Sequence, residues 1–315
     1  MKKEEFYFPS RDNRTKIHAL RWTPETDRPV CIVQIVHGMA EYADRYEEFA
    51  RFLTDRGVVV TGEDHLGHGK SAVEGKNYGY FCEQDPATVV VRDVHRLKKM
   101  TQEAYPGVPY ILMGHSMGSF IVRNYLCRYG SGIDGALILG TGMQSAALLA
   151  VSKLTAGIQK LFYGDNHISR LIDRGAFGAY NKKIPSPNTA MDWLSRDEAK
   201  VKEYMEDPLC GFTFTVNGFS TLFTLISRIR KKENLEKIPE NLPVHFASGD
   251  ADPVGNYGKG VRAAYDSLKK AGMNQLSLKL YESDRHELLN EKDRGQVMED
   301  LWQWIEKTVN RNNLS

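Results

Sequence analysis

Residues 112–118 read Leu112-Met113-Gly114-His115-Ser116-Met117-Gly118, with an apolar run, 109–111, before them and a helix-like segment, 119–128, after them. The glycines and the serine match the G-x-S-x-G elbow, in which a serine occupies a strained turn between a buried strand and a helix. Glycine is needed at both flanking positions because any side chain there would collide with the neighbouring backbone. The strand before and the helix after are the context that the motif requires, which predicts an exposed Ser116 hydroxyl at a helix N-terminus.

Strand and helix patterns alternate on both sides of this turn. Residues 4–8 and 15–23 alternate apolar and polar side chains and predict an antiparallel opening hairpin. The later apolar runs are nearly continuous, as expected of strands covered on both faces. Such alternation implies a mainly parallel sheet with right-handed crossovers and helices on both faces. Further strands are predicted at 31–36, 58–60, immediately before the elbow, 135–140, 243–248 and 276–281, and helices at 46–56, 86–105, 119–128, 259–271 and 295–310.

The alternation breaks between residues 143 and 215, where helical, aromatic and proline-containing pieces follow one another without a clear buried strand. We therefore predict a core formed by residues 1–142 and 216–315, with an inserted helical cap over 143–215. The simplest expectation for the apolar face of segment 146–162 is that it packs on the domain below. The alternative is that it lines a tunnel for an apolar ligand or touches a lipid surface. This face consists of Ala147, Val151, Leu154, Ile158 and Leu161 or Phe162.

Composition excludes several classes of protein. The 315 residues include 42 basic and 40 acidic side chains, and the net charge of +2 gives no electrostatic reason to expect nucleic acid or a strongly anionic membrane as partner. Lys2 and Lys3 are followed by acidic residues, and no run of about 18 apolar residues occurs. We therefore expect neither a cleaved signal nor a membrane span, and nothing in the sequence indicates an oligomeric state.

Metal and cofactor motifs are not matched. The chain has four widely spaced cysteines, Cys31, Cys82, Cys127 and Cys210. Without a C-x-x-C pair, reduced thiols in a cytoplasmic protein are the simplest interpretation. Residues 69–71 end like a phosphate-binding loop, but Asp64 stands where that motif needs glycine, and Asn290 stands where a zincin would need its second histidine after His286. No cofactor and no metal are therefore expected.

A serine hydroxyl is a poor nucleophile at neutral pH and needs a base, which a carboxylate orients. His286 lies on a loop after the final predicted strand, at the edge where ligands bind in open α/β sheets. It is the candidate base, and the alternative is an ordinary surface-loop histidine. Asp250 and Asp252 follow the penultimate strand, and either could orient His286, unless both only shape a turn.

The chain order of Ser116, an aspartate and His286 is the order found in α/β hydrolases. The sequence resembles the monoacylglycerol lipase and lysophospholipase branch of that fold, also called the serine aminopeptidase-like group. The resemblance spans nearly the whole chain and implies the α/β-hydrolase fold. In the family's G-x-x-D pattern the acid is Asp252, which leaves Asp250 as a turn residue. The matching segments are 37–41, 45–46, 64–71, 114–118, 207–209, 249–252 and 281–286.

Backbone donors are also required, because the carbonyl oxygen of the substrate becomes negatively charged in the transition state. Met117, the residue after the nucleophile, is expected to supply one N–H, and the resemblance places the other on Met39 in the H-G-x-x-E motif. Gly38 allows close approach of the backbone. Glu41 and Arg45 match family positions near the polar end of the substrate, although an ion pair that pins the loop explains them equally well.

These residues predict a serine esterase or lipase that works through an acyl-enzyme on Ser116, and the resemblance implies a long-chain monoester, such as a monoacylglycerol or lysophospholipid, as its substrate. The expected partner is a small ester or lipid, with transient membrane-surface contact through the cap. Some lipases of the family have a second histidine where this chain has Leu289, which leaves recognition of a glycerol headgroup open. A short-chain carboxylesterase, an aminopeptidase or an acyltransferase could use the same residues. A non-catalytic, hydrolase-like binding protein would have no need to keep all of them together.

Overall fold

The computed structural model describes residues 1–312. These residues contain a mixed β-sheet of eight strands. The strands are β1 (Lys2–Pro9), β2 (Lys16–Thr23), β3 (Ile32–Val36), β4 (Val59–Glu63), β5 (Tyr110–His115), β6 (Gly135–Leu139), β7 (Val244–Gly249) and β8 (Leu276–Tyr281). Their order across the sheet is β1-β2-β4-β3-β5-β6-β7-β8. The pairs β1–β2 and β2–β4 are antiparallel, and the other pairs in this range are parallel. The predicted opening hairpin and mainly parallel sheet are confirmed.

Helices form most of the connections between these strands. None of the helices within residues 1–312 has the length and apolar character that crossing a bilayer would need. The α-helices are α1 (Glu47–Thr54), α2 (Pro86–Ala104), α3 (Met117–Tyr129), α4 (Ala146–Tyr163), α5 (Arg170–Phe177), α6 (Glu198–Glu206), α7 (Val216–Arg228), α8 (Lys232–Leu235), α9 (Lys259–Lys270) and α10 (Arg294–Asn312). Short 3-10 helices lie at Ala43–Tyr46, Gly130–Gly132, Tyr180–Lys183 and Leu288–Asn290. The sequence pattern did not predict α7.

Apolar side chains cover both faces of the sheet, because successive residues of a strand point to opposite sides. In β3, Ile32 and Val36 belong to a core that includes residues of α2, α3, α7 and α9. Val33 and Ile35 belong to a second core, shared with α1 and α10. The continuous apolar runs in the sequence therefore correspond to strands that are buried on both sides, as predicted.

The chain leaves the sheet after β6 and returns to it at β7. Helices α4, α5 and α6 lie in this excursion, and α7 follows them and contacts α2 and α3 of the core. The contact of α7 with the core supports a boundary close to residue 215. We therefore retain 143–215 as the proposed cap and assign α7 to the proposed core.

The expectation that the apolar face of α4 packs on the domain below is wrong. The helix contacts α7 through the opposite side, where Leu149, Ala156 and Gln159 are buried. Because α4 has apolar residues on more than one side, its sequence alone did not determine which side would pack. Ala147 is exposed as well. The large side chains of the other face have exposed fractions of 50–81% and are Val151, Leu154, Ile158, Leu161 and Phe162.

The turn between β5 and α3 has the strained geometry expected of the elbow. Ser116 has φ 52° and ψ −119°, a conformation that L-residues rarely adopt. A Cβ atom on Gly114 would lie 2.5 Å from the carbonyl oxygen of Gly118, and one on Gly118 would lie 1.9 Å from that of Val36. Both glycines are therefore required by close backbone contacts. The Ser116 N–H donates to the Leu139 carbonyl over 3.0 Å, which ties the turn to β6.

We predict that Gly118→Ala lowers the free energy of unfolding by about 3 kcal/mol, because the new methyl group would overlap the Val36 carbonyl and force the backbone to move. Gly157→Ala in α4 is the matched control, since no atom lies within 4 Å of its added Cβ. Alanine should stabilise that helix by about 0.5–1 kcal/mol. Urea denaturation followed by circular dichroism measures both, and equal effects at the two positions would contradict this account of the elbow.

Candidate active site

The candidate site lies at the edge of the sheet where the parallel strands end. Met39 follows β3, Ser116 follows β5, Asp252 follows β7 and His286 follows β8. The carboxyl ends of parallel strands meet at one edge, which is where ligands bind in open α/β sheets. Residues that are up to 247 positions apart in the sequence numbering, 39 to 286, are thus brought to one place.

Asp252 and His286 form a buried pair. His286 Nδ1 lies 3.0 Å from Asp252 Oδ2. The same carboxylate accepts hydrogen bonds from the Ser248 hydroxyl, 3.2 Å, and from the Val254 N–H, 2.8 Å, and both fix its orientation. Asp250 is exposed, and it accepts the N–H of residue 283 over 2.7 Å. Of the two aspartates that the residues alone left open, Asp252 faces the histidine and Asp250 stabilises a turn.

The His286 ring lies in a narrow space between aromatic side chains. Its centroid is 5.2 Å from the Trp193 ring and 4.8 Å from the His115 ring. A Cβ atom on Gly140 would lie 3.0 Å from His286 Cε1, so the glycine after β6 leaves room for the imidazole. Trp193 belongs to the proposed cap, and the sequence did not indicate that the cap would contact the histidine.

Ser116, His286, Met39 and Met117 line the same cavity. Met117 is the first residue of α3. The first N–H groups of a helix have no partner within the helix, so the Met117 N–H is available to a bound group. The predicted nucleophile, the predicted base and the two residues expected to supply backbone donors therefore lie around one common cavity.

The carboxylate of Glu41 connects the loop after β3 to the elbow. It is 3% exposed, and it accepts the Gly38 N–H over 2.5 Å and the Tyr46 hydroxyl over 2.9 Å. His115, the residue before Ser116, has its Nδ1 3.1 Å from the same carboxylate. One buried side chain therefore fixes the backbone on both sides of the predicted oxyanion site.

Arg45 extends this network to the loop that carries His286. Its guanidinium donates to Glu41 over 2.6 Å and to both oxygens of Glu287 over 2.9 Å. Arg45 does not line the cavity, whereas Glu41 does. The geometry supports the ion-pair explanation for these two positions. Glu287 was missed as a site residue, because the motif already offered Glu41 as the partner of Arg45 and Glu287 lies 242 positions away in the sequence.

Electrostatics keep this network charged. Burial would raise the pKa of Glu41, but the hydrogen bond from His115 and the charge of Arg45 outweigh burial and hold that pKa well below its ordinary value. Burial would lower the pKa of His115, but Glu41 raises it overall. Burial also opposes ionisation of Glu287, and Arg45 again lowers the pKa below its usual range.

Three neutral histidines pack against the loop that follows β3. The rings of His37 and His65 are stacked with centroids 4.0 Å apart, and the His65 N–H donates to His37 Nε2 over 3.0 Å. Burial lowers the pKa of His65 to about 4 and that of His68 to about 3, and it lowers the pKa of His37 strongly as well. The cluster therefore shapes the loop without adding charge near neutral pH.

A cavity of about 610 Å³ extends from Ser116 between the core and the proposed cap. Its walls are largely apolar, and burying a methylene group of a bound chain contributes about 0.8 kcal/mol. The cavity therefore suits an elongated apolar ligand. Its walls include Phe120, Leu149, Ile172, Phe177, Phe223 and Ile226.

The sheet order, the elbow and the order of Ser116, Asp252 and His286 along the chain are those of an α/β hydrolase. Residues 27–293 match the family described as serine aminopeptidase, S33, and the chain belongs to that family.

Individual relatives cover nearly the whole chain. It is 31% identical to a carboxyl esterase from Bacillus coagulans, solved in complex with glycerol, with a TM-score of 0.89 over 98% of this chain and 99% of that one. A monoacylglycerol lipase from Mycolicibacterium smegmatis is 28% identical over 90% of each chain. The monoglyceride lipase of Homo sapiens is 27% identical over 90% of this chain and 84% of its own. The predicted resemblance to the monoacylglycerol lipase branch is confirmed.

We predict that Glu41→Gln lowers the free energy of unfolding at pH 7 by about 3 kcal/mol, because it removes the carboxylate that pairs with His115 and with the largely buried Arg45. The effect lies at the low end for a buried ion pair, because Arg45 keeps Glu287 as a partner. The folded-state pKa of Glu41 is lowered, so its stabilisation is present above its ordinary pKa of 4.5 and is lost as the pH falls through the folded-state value. The difference between the variant and the wild type should therefore narrow in acid. It should also narrow in alkaline solution, because Glu41 raises the pKa of His115 and the stabilisation from that pair is lost as the pH rises through the folded-state pKa of His115. Urea denaturation at several pH values measures it.

Glu299→Gln is the control for this experiment. Glu299 pairs with Arg56 over 3.2 Å at the surface, where an ion pair contributes at most about 1 kcal/mol. If both substitutions had the same small effect, Glu41 would not hold the site together as described.

Proposed function

We propose that this protein hydrolyses carboxylic esters of lipids, of the monoacylglycerol or lysophospholipid type. The observation that carries the proposal is the apolar cavity of about 610 Å³ that begins at Ser116. A long acyl chain would occupy this cavity with its ester group beside the serine. The relatives named monoacylglycerol or monoglyceride lipase support the same substrate class.

Acylation begins at Ser116. Asp252 holds His286 through Nδ1, which leaves Nε2 to take the proton from the Ser116 hydroxyl as its oxygen attacks the ester carbonyl. The C–O bond to the alcohol then breaks, and the alcohol leaves with the proton from Nε2. The acyl group remains on the serine.

Deacylation repeats these steps with water. His286 removes a proton from a water molecule, which attacks the acyl-enzyme, and the fatty acid leaves as Ser116 regains its proton. The N–H groups of Met39 and Met117 hold the negatively charged oxygen in both halves of the reaction. A single donor of this kind typically accounts for about 10²–10³ in kcat. Gly38 and Glu41 act indirectly, because their hydrogen bond fixes the Met39 loop.

A short-chain carboxylesterase is the second candidate function. The likeness to the carboxyl esterase from Bacillus coagulans favours it. Leu289 also stands where some lipases of the family have a second histidine near the headgroup. The two candidates differ in whether the far part of the cavity binds substrate.

We predict that kcat/KM rises along a series of p-nitrophenyl esters from acetate to palmitate. Each methylene that enters the cavity contributes up to about 0.8 kcal/mol, or about fourfold, until the chain exceeds the cavity. Monooleoylglycerol and lysophosphatidylcholine test the two headgroups. Initial rates at low substrate concentration give the series.

Ser116→Ala should abolish hydrolysis of every ester and labelling by a fluorophosphonate. Ser152→Ala, which changes a serine elsewhere in the cavity wall, is the control and should keep both. A maximum at acetate or butyrate would instead identify a short-chain carboxylesterase. Absence of labelling in the wild type would indicate a binding protein.

We also propose that the cap makes transient contact with a membrane surface and that the protein works in the cytoplasm. Leu148, Val151 and Leu171 are 54–65% exposed and also line the cavity, so the cavity opens among exposed apolar side chains. A lipid could therefore pass from a membrane to Ser116 with little exposure to water. The four free cysteines fit a reducing compartment.

We predict that the double substitution Leu154→Ser with Phe162→Ser weakens binding to phosphatidylcholine vesicles by about tenfold or more. Burial of each apolar side chain in the membrane would contribute roughly 1.5–3 kcal/mol to the free energy of binding. Hydrolysis of p-nitrophenyl butyrate should not change, because neither residue lines the cavity. Vesicle sedimentation measures binding. Tyr7→Ser, which removes a 54% exposed side chain of β1, is the control. Unchanged binding of the double variant would contradict the proposed contact.

A further inference from the structure

A segment of the proposed cap, 192–197, lies against the loop that carries His286. The His286 N–H donates to the Trp193 carbonyl over 3.4 Å, and the Glu287 N–H donates to the Leu194 carbonyl over 2.7 Å. The backbone of the proposed base is therefore hydrogen-bonded to the cap and not only to its own domain. A change in the position of this segment would move the histidine.

Arg196 of the same segment binds three carboxylates around this loop. Its Nε donates to Glu291 over 2.9 Å, and its Nη2 donates to Asp293 over 2.7 Å and to Asp284. Asp284 and Glu291 are completely buried, whereas Asp293 is half exposed. Two neighbouring buried carboxylates would repel each other, and a buried charge without a partner is strongly unfavourable. Arg196 is the cation that the structure places between them.

Both buried carboxylates belong to residues that fix the catalytic loops. Glu291 accepts the N–H of Arg285, the residue before His286, over 2.8 Å. The Asp284 carbonyl accepts the N–H of Ala251, the residue before Asp252, over 3.0 Å. Displacement of either acidic residue would therefore be transmitted to the Asp252–His286 pair.

We propose that Arg196 is a positioning residue for His286. Arg196 neutralises Asp284 and Glu291 and thereby holds the histidine loop in reach of Ser116. The proposal rests on the proposed function, in which His286 is the base. Arg196 does not line the cavity, so it touches neither the substrate nor the reacting atoms. Its role in catalysis is therefore indirect, through the position of His286.

Electrostatics give this role a pH signature. Burial and the nearby Glu291 raise the pKa of Asp284 to about 7, Arg196 opposes the shift, and Asp293 adds to it. Tyr281 of β8 is also close, and burial keeps it neutral in the working range by raising its pKa. An acid whose pKa is raised in the folded state destabilises the fold progressively as the pH rises from about 4, its ordinary pKa, to about 7, where it ionises in the folded protein. Without Arg196 the repulsion between the Asp284 and Glu291 carboxylates would grow. The loss of activity on removing Arg196 should therefore be greatest in alkaline solution.

The test compares Arg196→Gln, Arg196→Lys and the double variant Arg196→Gln with Asp284→Asn. The readouts are kcat and KM for p-nitrophenyl butyrate and the rate of fluorophosphonate labelling, each from pH 5.5 to 9. Arg196→Gln should lower kcat and the labelling rate by about 10- to 100-fold near pH 8, as expected of a small displacement of a catalytic group. The loss should shrink towards pH 6, with KM little changed. Arg196→Lys should be intermediate, and the double variant should recover most of the rate.

Lys200→Gln is the matched control. Lys200 is another cation of the proposed cap with a side-chain exposure of 23%, against 27% for Arg196, and it pairs with Glu48 and Glu203 instead of the histidine loop. Its kcat and pH profile should equal those of the wild type.

Three results would overturn the inference. One is a folded Arg196→Gln with wild-type kcat at every pH. Another is a loss that is independent of pH and is not recovered by Asp284→Asn, which would indicate a general packing defect. If Arg196→Gln does not fold, a wild-type pH profile for Arg196→Lys would have the same meaning. Failure of the proposed function is distinguishable, because the wild type would then show no labelling that depends on Ser116.

Discussion

The buried carboxylate of Glu41 is the group on which the geometry of the site depends. It binds the Gly38 N–H, the His115 ring and the Arg45 guanidinium. Through these partners it joins the loop of Met39, the elbow of Ser116 and, by way of Arg45 and Glu287, the loop of His286. A carboxylate buried without such partners would be strongly unfavourable, so the loops are held together by the same interactions that make burial of the charge possible.

A second charged cluster lies on the other side of the histidine. Arg196 neutralises Asp284 and Glu291, and the neighbouring cap backbone pairs with His286. The base is thus fixed from the core by one set of ion pairs and from the proposed cap by another. The proposed cap is therefore more than a cover over the apolar cavity, because it forms part of the support for His286, the proposed base.

The sequence allowed prediction of those site residues that a local motif specifies. Ser116 was predictable because backbone overlap demands glycine at 114 and 118, and such a constraint leaves a short pattern in the chain. The residues alone did not separate Asp252 from Asp250, since both follow one strand. The family pattern favoured Asp252, and in the structure Asp252 is the one that contacts His286. Glu287 and Arg196 act through partners 242 and 88 or more positions away, and no local pattern records such a pairing.

By itself the sequence determined the alternation of buried strands and helices and the elbow that carries Ser116, the proposed nucleophile, because strand burial and tight turns restrict residue types locally. Only the tertiary structure decided which face of α4 packs, that α7 exists beside it, and how the cap meets the histidine loop. An apolar helix can bury more than one side, and a charged side chain can pair with any opposite charge that folding brings near. Both outcomes therefore depend on contacts between segments that are far apart in the chain.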